Sequence, residues 1–181
     1  MEKNKVQTIG DGICWLEEQV TWISFLIMLG LLLIQVLLRY VLNMPLAWAE
    51  EIVRFVYIGV SFTGAAVAVR RTEHITINII PLLFNKIFKH DERKVNLTLD
   101  VLDILAFIIC SLFWVYITKA VGNYMLETKE GAMLTVAMQW PMWIVYLPIV
   151  LSGVMIVLHY VLNIFEKFIE MKNTLKGGAA Q

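Results

Sequence analysis

The sequence predicts an all-α integral membrane protein, with four transmembrane helices plus amphipathic interfacial helices. Three observations carry this reading. Apolar residues make up 59% of the 181 and charged ones only 17%, against about 45–50% and roughly 25% in soluble domains. Mean hydropathy is +0.72. Four stretches, at about 20–42, 50–70, 97–121 and 140–163, each reach the roughly 20 mainly apolar residues that a helix needs to cross a bilayer. The organisation that follows is an N-terminal segment (1–19), a four-helix transmembrane domain (20–163) and a tail (164–181).

In the N-terminal segment Val6, Ile9, Ile13, Leu16 and Val20 recur at helical spacing, opposite Asp11 and Glu18. That pattern predicts an amphipathic helix lying on the membrane surface, or an extension of the first span. Residues 20–38 carry no charge. The run is too long for a signal-peptide core and no small-x-small cleavage site follows it, so a retained helix is expected.

A polar hinge then separates the first two spans: Arg39-Tyr-Val-Leu-Asn-Met-Pro45-Leu-Ala-Trp48-Ala-Glu50-Glu51-Ile-Val-Arg54. The apolar run after it, 55–69, rises only about 22 Å as a helix, short of the roughly 30 Å hydrocarbon core. The second helix must therefore include Glu50, Glu51 and Arg54. Arg54 lies four residues from Glu50 and three from Glu51, so either carboxylate is placed to pair with it. Arg39 ends the preceding span at about the same height. Two readings stand: a self-satisfied ionic cluster, or a docking site for another protein's charges. Further along, Gly59, Thr63, Gly64, Ala65, Ala66 and Ala68 give the second helix a small-residue face for close packing in lipid.

Between the second and third spans, Ile80, Leu83, Phe84, Ile87 and Phe88 share a face opposite Asn85, Lys86 and Lys89. With Pro81 in its first turn, an interfacial helix is expected over about 76–90. The third span opens with Asp100 and Asp103 on one face, expected to lie near Arg70, Arg71 or Lys94 as ion pairs or, alternatively, as a relay. Residues 124–139 read as an apolar loop. Trp140 and Trp143 mark a membrane interface, Pro141 fits a helix start, and Pro148 is expected to kink the fourth span. His159 and Tyr160 mark its other end.

Of the Lys and Arg residues, eleven fall on the side of the termini and the second loop and four on the opposite side. The positive-inside rule places the termini in the cytoplasm. Net charge is zero, and nothing implies a nucleic-acid partner. The middle of every span lacks ionisable residues, whereas a transporter that binds substrate itself needs polar groups near the midplane. Cys14 and Cys110 have no metal-ligand company and read as small buried hydrophobes. Catalytic, metal and cofactor sites are not expected on this chain. A stand-alone small transporter or channel and a haem-carrying redox subunit are the competing classes. His74 and His159 are the pair considered for such a haem, but His74 falls in a loop and no second histidine lies in a span.

The hinge motif Arg39-Tyr-Val-Leu-Asn-x-Pro45-Leu-x-Trp48-x-Glu50-Glu51-x-x-Arg54 resembles the signature of the small membrane subunit of tripartite ATP-independent periplasmic (TRAP) transporters. Gly64-Ala-Ala-x-Ala-x-Arg70-Arg71-x-Glu73-His74-Ile75 with Pro81, and Trp140-Pro141-x-Trp143-x-x-Tyr146-x-Pro148, resemble its other two blocks. Asn78 departs from the pattern, standing where many relatives carry Asp. The resemblance implies a scaffold subunit of the bacterial inner membrane. It implies partnership with a large multi-span subunit, which binds substrate and sodium, and with a periplasmic protein that delivers an organic acid: a dicarboxylate, a keto acid or a sialic acid. Sodium is then expected on the large subunit, and membrane lipid surrounds this one. Arg39, Trp48, Glu50, Glu51, Arg54, Arg70, Arg71, His74, Asp100 and Asp103 are the candidate structural and partner-interface residues.

Overall fold

The computed structural model describes residues 5–44, 46–71 and 92–177. The expected interfacial helix at 76–90, with Pro81, and the candidate His74 lie outside the described residues. The described residues form four helices: α1 (Lys5–Val41), α2 (Ala47–Arg71), α3 (Glu92–Glu130) and α4 (Trp143–Gly177). Each contains a stretch long and apolar enough to cross a membrane, so the chain is a multi-pass membrane protein.

The helices outrun the spans read from hydropathy. At 1.5 Å per residue, the 37 residues of α1 extend about 55 Å, well beyond a hydrocarbon core of roughly 30 Å. Over its described part, the N-terminal segment is therefore a continuation of α1. At the other end Asn43 takes a left-handed conformation (φ 51°), which asparagine tolerates better than most residues. It turns the Met44 N–H back onto the Leu38 carbonyl at 3.0 Å. The expected loop at 124–139 is shorter than predicted. Tyr124, Met125 and Leu126 belong to α3, which runs through Gly122 without a proline and ends just before Gly131. Trp140 and Pro141, in turn, precede α4. The Ile144 N–H bonds the Pro141 carbonyl at 3.1 Å, forming the turn that leads into the helix. The helix continues through Pro148.

The helices form an open row and not a closed bundle. α4 is central, packing on α2 on one side and on α3 on the other. α1 packs on α2 and meets α4 over a short stretch only. Burial follows this order: 28% of the apolar window of α4 is buried, against 6% or less in the other three. Close approach relies on small residues. Ala66 is buried within the row, and Gly59 lies against the Pro148 ring. Gly153 meets Thr118, whose Cβ stands only 3.2 Å from where a Gly153 side chain would begin. The outer faces of α1 and α3 stay uncovered, with Trp22, Leu33, Leu37, Leu112, Phe113 and Tyr116 all more than half exposed. In lipid such faces carry no hydrophobic drive to close on one another.

Replacing Gly153 with Val forces α3 and α4 apart, and overpacking of this kind costs about 1–3 kcal/mol. The variant is expected to show a lower thermal midpoint in detergent. Gly122→Ala, where nothing lies within 4 Å, is expected to leave the midpoint unchanged or raise it, since Ala is favoured over Gly in a helix by up to about 1 kcal/mol.

Candidate functional site at the two ends of the helices

The polar side chains collect at the two ends of the row. At the end carrying the chain termini, Arg70 is 4% exposed and forks between three helices. Its Nη1 donates to Asn163 Oδ1 at 2.8 Å, and its Nη2 to Glu166 Oε1 at 2.8 Å and Asp11 Oδ1 at 3.2 Å. Nη2 also reaches the Gln7 carbonyl at 3.4 Å. Asn163 closes the ring by donating Nδ2 to the Val69 carbonyl at 3.1 Å. The guanidinium lies flat over Gly10, where a side-chain carbon would fall 2.8 Å from it. A bare position 10 thus lets α1 lie against Arg70 without displacing the guanidinium.

Three further ties surround this one. Arg71 donates Nη2 to Glu18 Oε2 at 2.7 Å. His159, fully buried, pairs Nε2 with Glu17 Oε2 at 2.8 Å. Lys167 reaches Asp100 at 3.2 Å and Asp103 at 3.6 Å, joining α4 to α3. This pairing differs from two of the three expected neighbours of these aspartates, Arg70 and Arg71; the side chain of the third, Lys94, lies outside the described ones. Both arginines face away from α3, since α3 lies across α4 from α1 and α2.

At the opposite end the hinge also pairs differently from the expectation. Glu50 Oε1 accepts from Arg39 Nη1 at 3.2 Å, both side chains about half exposed. Glu51 accepts three backbone N–H groups, from Val136 at 3.0 Å, Ala137 at 3.1 Å and Met138 at 2.7 Å. Arg54 therefore pairs with neither carboxylate: Arg39 takes one, and a loop whose amides would otherwise be unbonded takes the other. Charge-assisted bonds to N–H groups are about twice as strong as neutral ones, and three converge here. The rest of that loop is bonded to itself. Thr135 and Trp140 exchange two hydrogen bonds, at 2.8 and 3.1 Å, and Leu134 bridges Pro141. Lys129 lies over the Trp143 ring at 5.6 Å. Val136 at the apex is 91% exposed. Trp48, on the first turn of α2, is 45% exposed.

Asp11, Glu17, Glu18, His159, Asn163, Glu166 and Lys167 were not among the residues expected to matter together. Their signal was available: His159, Asn163 and Glu166 repeat at helical spacing on one face of an otherwise apolar helix. Among the described residues, no group of three or more His, Cys, Asp or Glu is placed to hold a metal ion.

A family model described as "Tripartite ATP-independent periplasmic transporters, DctQ component" matches residues 28–170. The chain belongs to this DctQ family. The DctQ family is a transporter component and not a family of enzymes. The chain is also 36% identical, over 83 residues, to the sialic acid TRAP transporter permease protein SiaT of Haemophilus influenzae (strain 86-028NP). That alignment covers 45% of this DctQ chain and only 14% of the relative. The match to DctQ takes in the hinge, Arg70 and the His159–Glu166 face of α4, but begins after Asp11, Glu17 and Glu18.

Arg70→Met leaves Glu166 buried without its cation. Breaking a buried pair from one side costs about 3–5 kcal/mol, expected as a large drop in thermal midpoint in detergent. The double variant Arg70→Met with Glu166→Met is expected to recover part of the loss. Glu51→Ala releases residues 131–142 from α2, expected as faster proteolysis there with the helix content unchanged.

Proposed function

We propose that this chain is the scaffold subunit of a sodium-coupled, binding-protein-dependent TRAP transporter for organic acid uptake. On this reading it steadies a large transport subunit in the bacterial inner membrane and helps dock the periplasmic binding protein. The observation that carries the reading is the placement of charge. The ionic contacts among the described residues lie at the two ends of the helices, and the apolar stretches between them suit a rigid frame better than a substrate path. Sodium then belongs on the large subunit. The positive-inside count supports cytoplasmic termini, which puts the Glu51-anchored loop, with Val136 at its tip, on the periplasmic side. The loop is held firmly yet presents apolar side chains outward, as a docking surface requires. The relative's name makes sialic acid the first substrate to test.

Gentle detergent purification of the tagged chain from its own host is expected to bring down a multi-span permease, identifiable by mass spectrometry. Proteoliposomes holding this chain alone are expected to take up no labelled sialic acid. Adding the permease, the binding protein and a sodium gradient is expected to restore uptake of that or another organic acid. Flux through this chain alone would overturn the scaffold reading.

A further inference from the structure

Arg54 is exposed and, among the described residues, makes no hydrogen bond or ion pair. It sits four residues past Glu50, about 6 Å further along α2 from the Arg39–Glu50 pair, where the membrane is drier. An uncompensated charge at that depth is costly, so an anion beside it is favoured. Arg54 lines a lateral groove of about 630 Å³ between α1 and α2. The other walls are Met28, Leu32 and Val36 on α1 and Val53 and Tyr57 on α2, with Gln35 the neutral polar group among them. Glu50 also borders the groove, but its charge is already matched by Arg39. The groove is thus apolar along its length and open on the membrane side, and the Arg54 guanidinium is the charge on its wall that no described residue pairs.

We propose that this groove is a binding site for an anionic phospholipid. The phosphodiester lies on Arg54 and one acyl chain lies along Met28, Leu32, Val36 and Val53. A guanidinium offers paired N–H donors that match two phosphate oxygens. Its apolar stem can lie in the groove while its head reaches back toward the headgroups. Gln35 supplies a further donor beside it. The apolar walls select a ligand with a hydrocarbon tail over a free anion. The proposal is independent of the scaffold reading, since it concerns this chain and the leaflet beside its α1–α2 turn.

Native mass spectrometry of the full chain in neutral detergent, titrated with phosphatidylglycerol or phosphatidylcholine, tests it. Phosphatidylglycerol is expected to bind in preference. Arg54→Gln is expected to weaken it about fivefold, the attraction of one arginine for an anionic headgroup, while Arg54→Lys keeps most of the binding. Leu32→Trp, which fills the groove and leaves the charge in place, is expected to weaken binding as well. Glycerophosphate, a headgroup without tails, is expected not to compete. Circular dichroism of each variant confirms that the helices are intact. Equal binding of the two lipids, unchanged phosphatidylglycerol binding in Arg54→Gln, or competition by glycerophosphate would overturn the proposal. So would loss of the lipid when a co-purified permease is present with one of its carboxylates cross-linkable to position 54.

Discussion

The arginine in the last turn of α2 is the residue on whose contacts the arrangement depends. A guanidinium with almost no exposure survives only where anions and carbonyls surround it, and Arg70 draws them from both neighbouring helices. Asp11 and the Gln7 carbonyl come from α1; Asn163 and Glu166 come from α4. Apolar packing in lipid offers little to decide which helix lies beside which. The geometry of one fork-shaped cation does decide it, fixing both the neighbours and their relative height. The buried Glu17–His159 pair repeats that instruction between α1 and α4, whose apolar contact is slight.

Spacing then follows from the solvent. Glu51 and Arg70 are nineteen residues apart on α2, about 28 Å along the axis, close to the thickness of a hydrocarbon core. The two anchors bracket the membrane, each in a place where a charge can be compensated by protein. Arg54 departs from the pattern, as does Lys119 on α3: neither has a hydrogen bond or ion pair to another described residue. Of the two, Arg54 has an apolar groove beside it.

Much of this was legible in the residues. The four spans, the small face of α2 around Ala66 and the ionic character of the hinge follow from hydropathy and local spacing, because both act along one helix. What failed was pairing between helices. Local spacing offered Glu50 and Glu51 to Arg54, but the competing partners were Arg39 across the turn and three amides 85 or more residues away. Asp100 and Asp103 were expected near Arg70, Arg71 or Lys94 because all fall at the same end of their spans, but α3 and the arginines' helix α2 are not neighbours. The fold inserts α4 between them, and Lys167 takes the aspartates instead. An open row cannot be foreseen from periodicity, since its exposed faces are as apolar as its buried ones.

The loop before α4 is fastened by a carboxylate that belongs to α2, not to either helix it connects. Mechanically, α2 is a strut with a handle at each end. The Glu51 handle grips three consecutive amides of the loop, and the Arg70 handle grips α1 and α4 about 28 Å away. A load applied at the loop tip near Val136 is borne along the axis of α2 as well as by the covalent connections of the loop. α3 takes its share directly, since the loop continues from Glu130 and bonds back onto Glu127, Thr128 and Lys129, whereas its contact with the strut itself is, among the described residues, the Phe62–Trp114 ring pair.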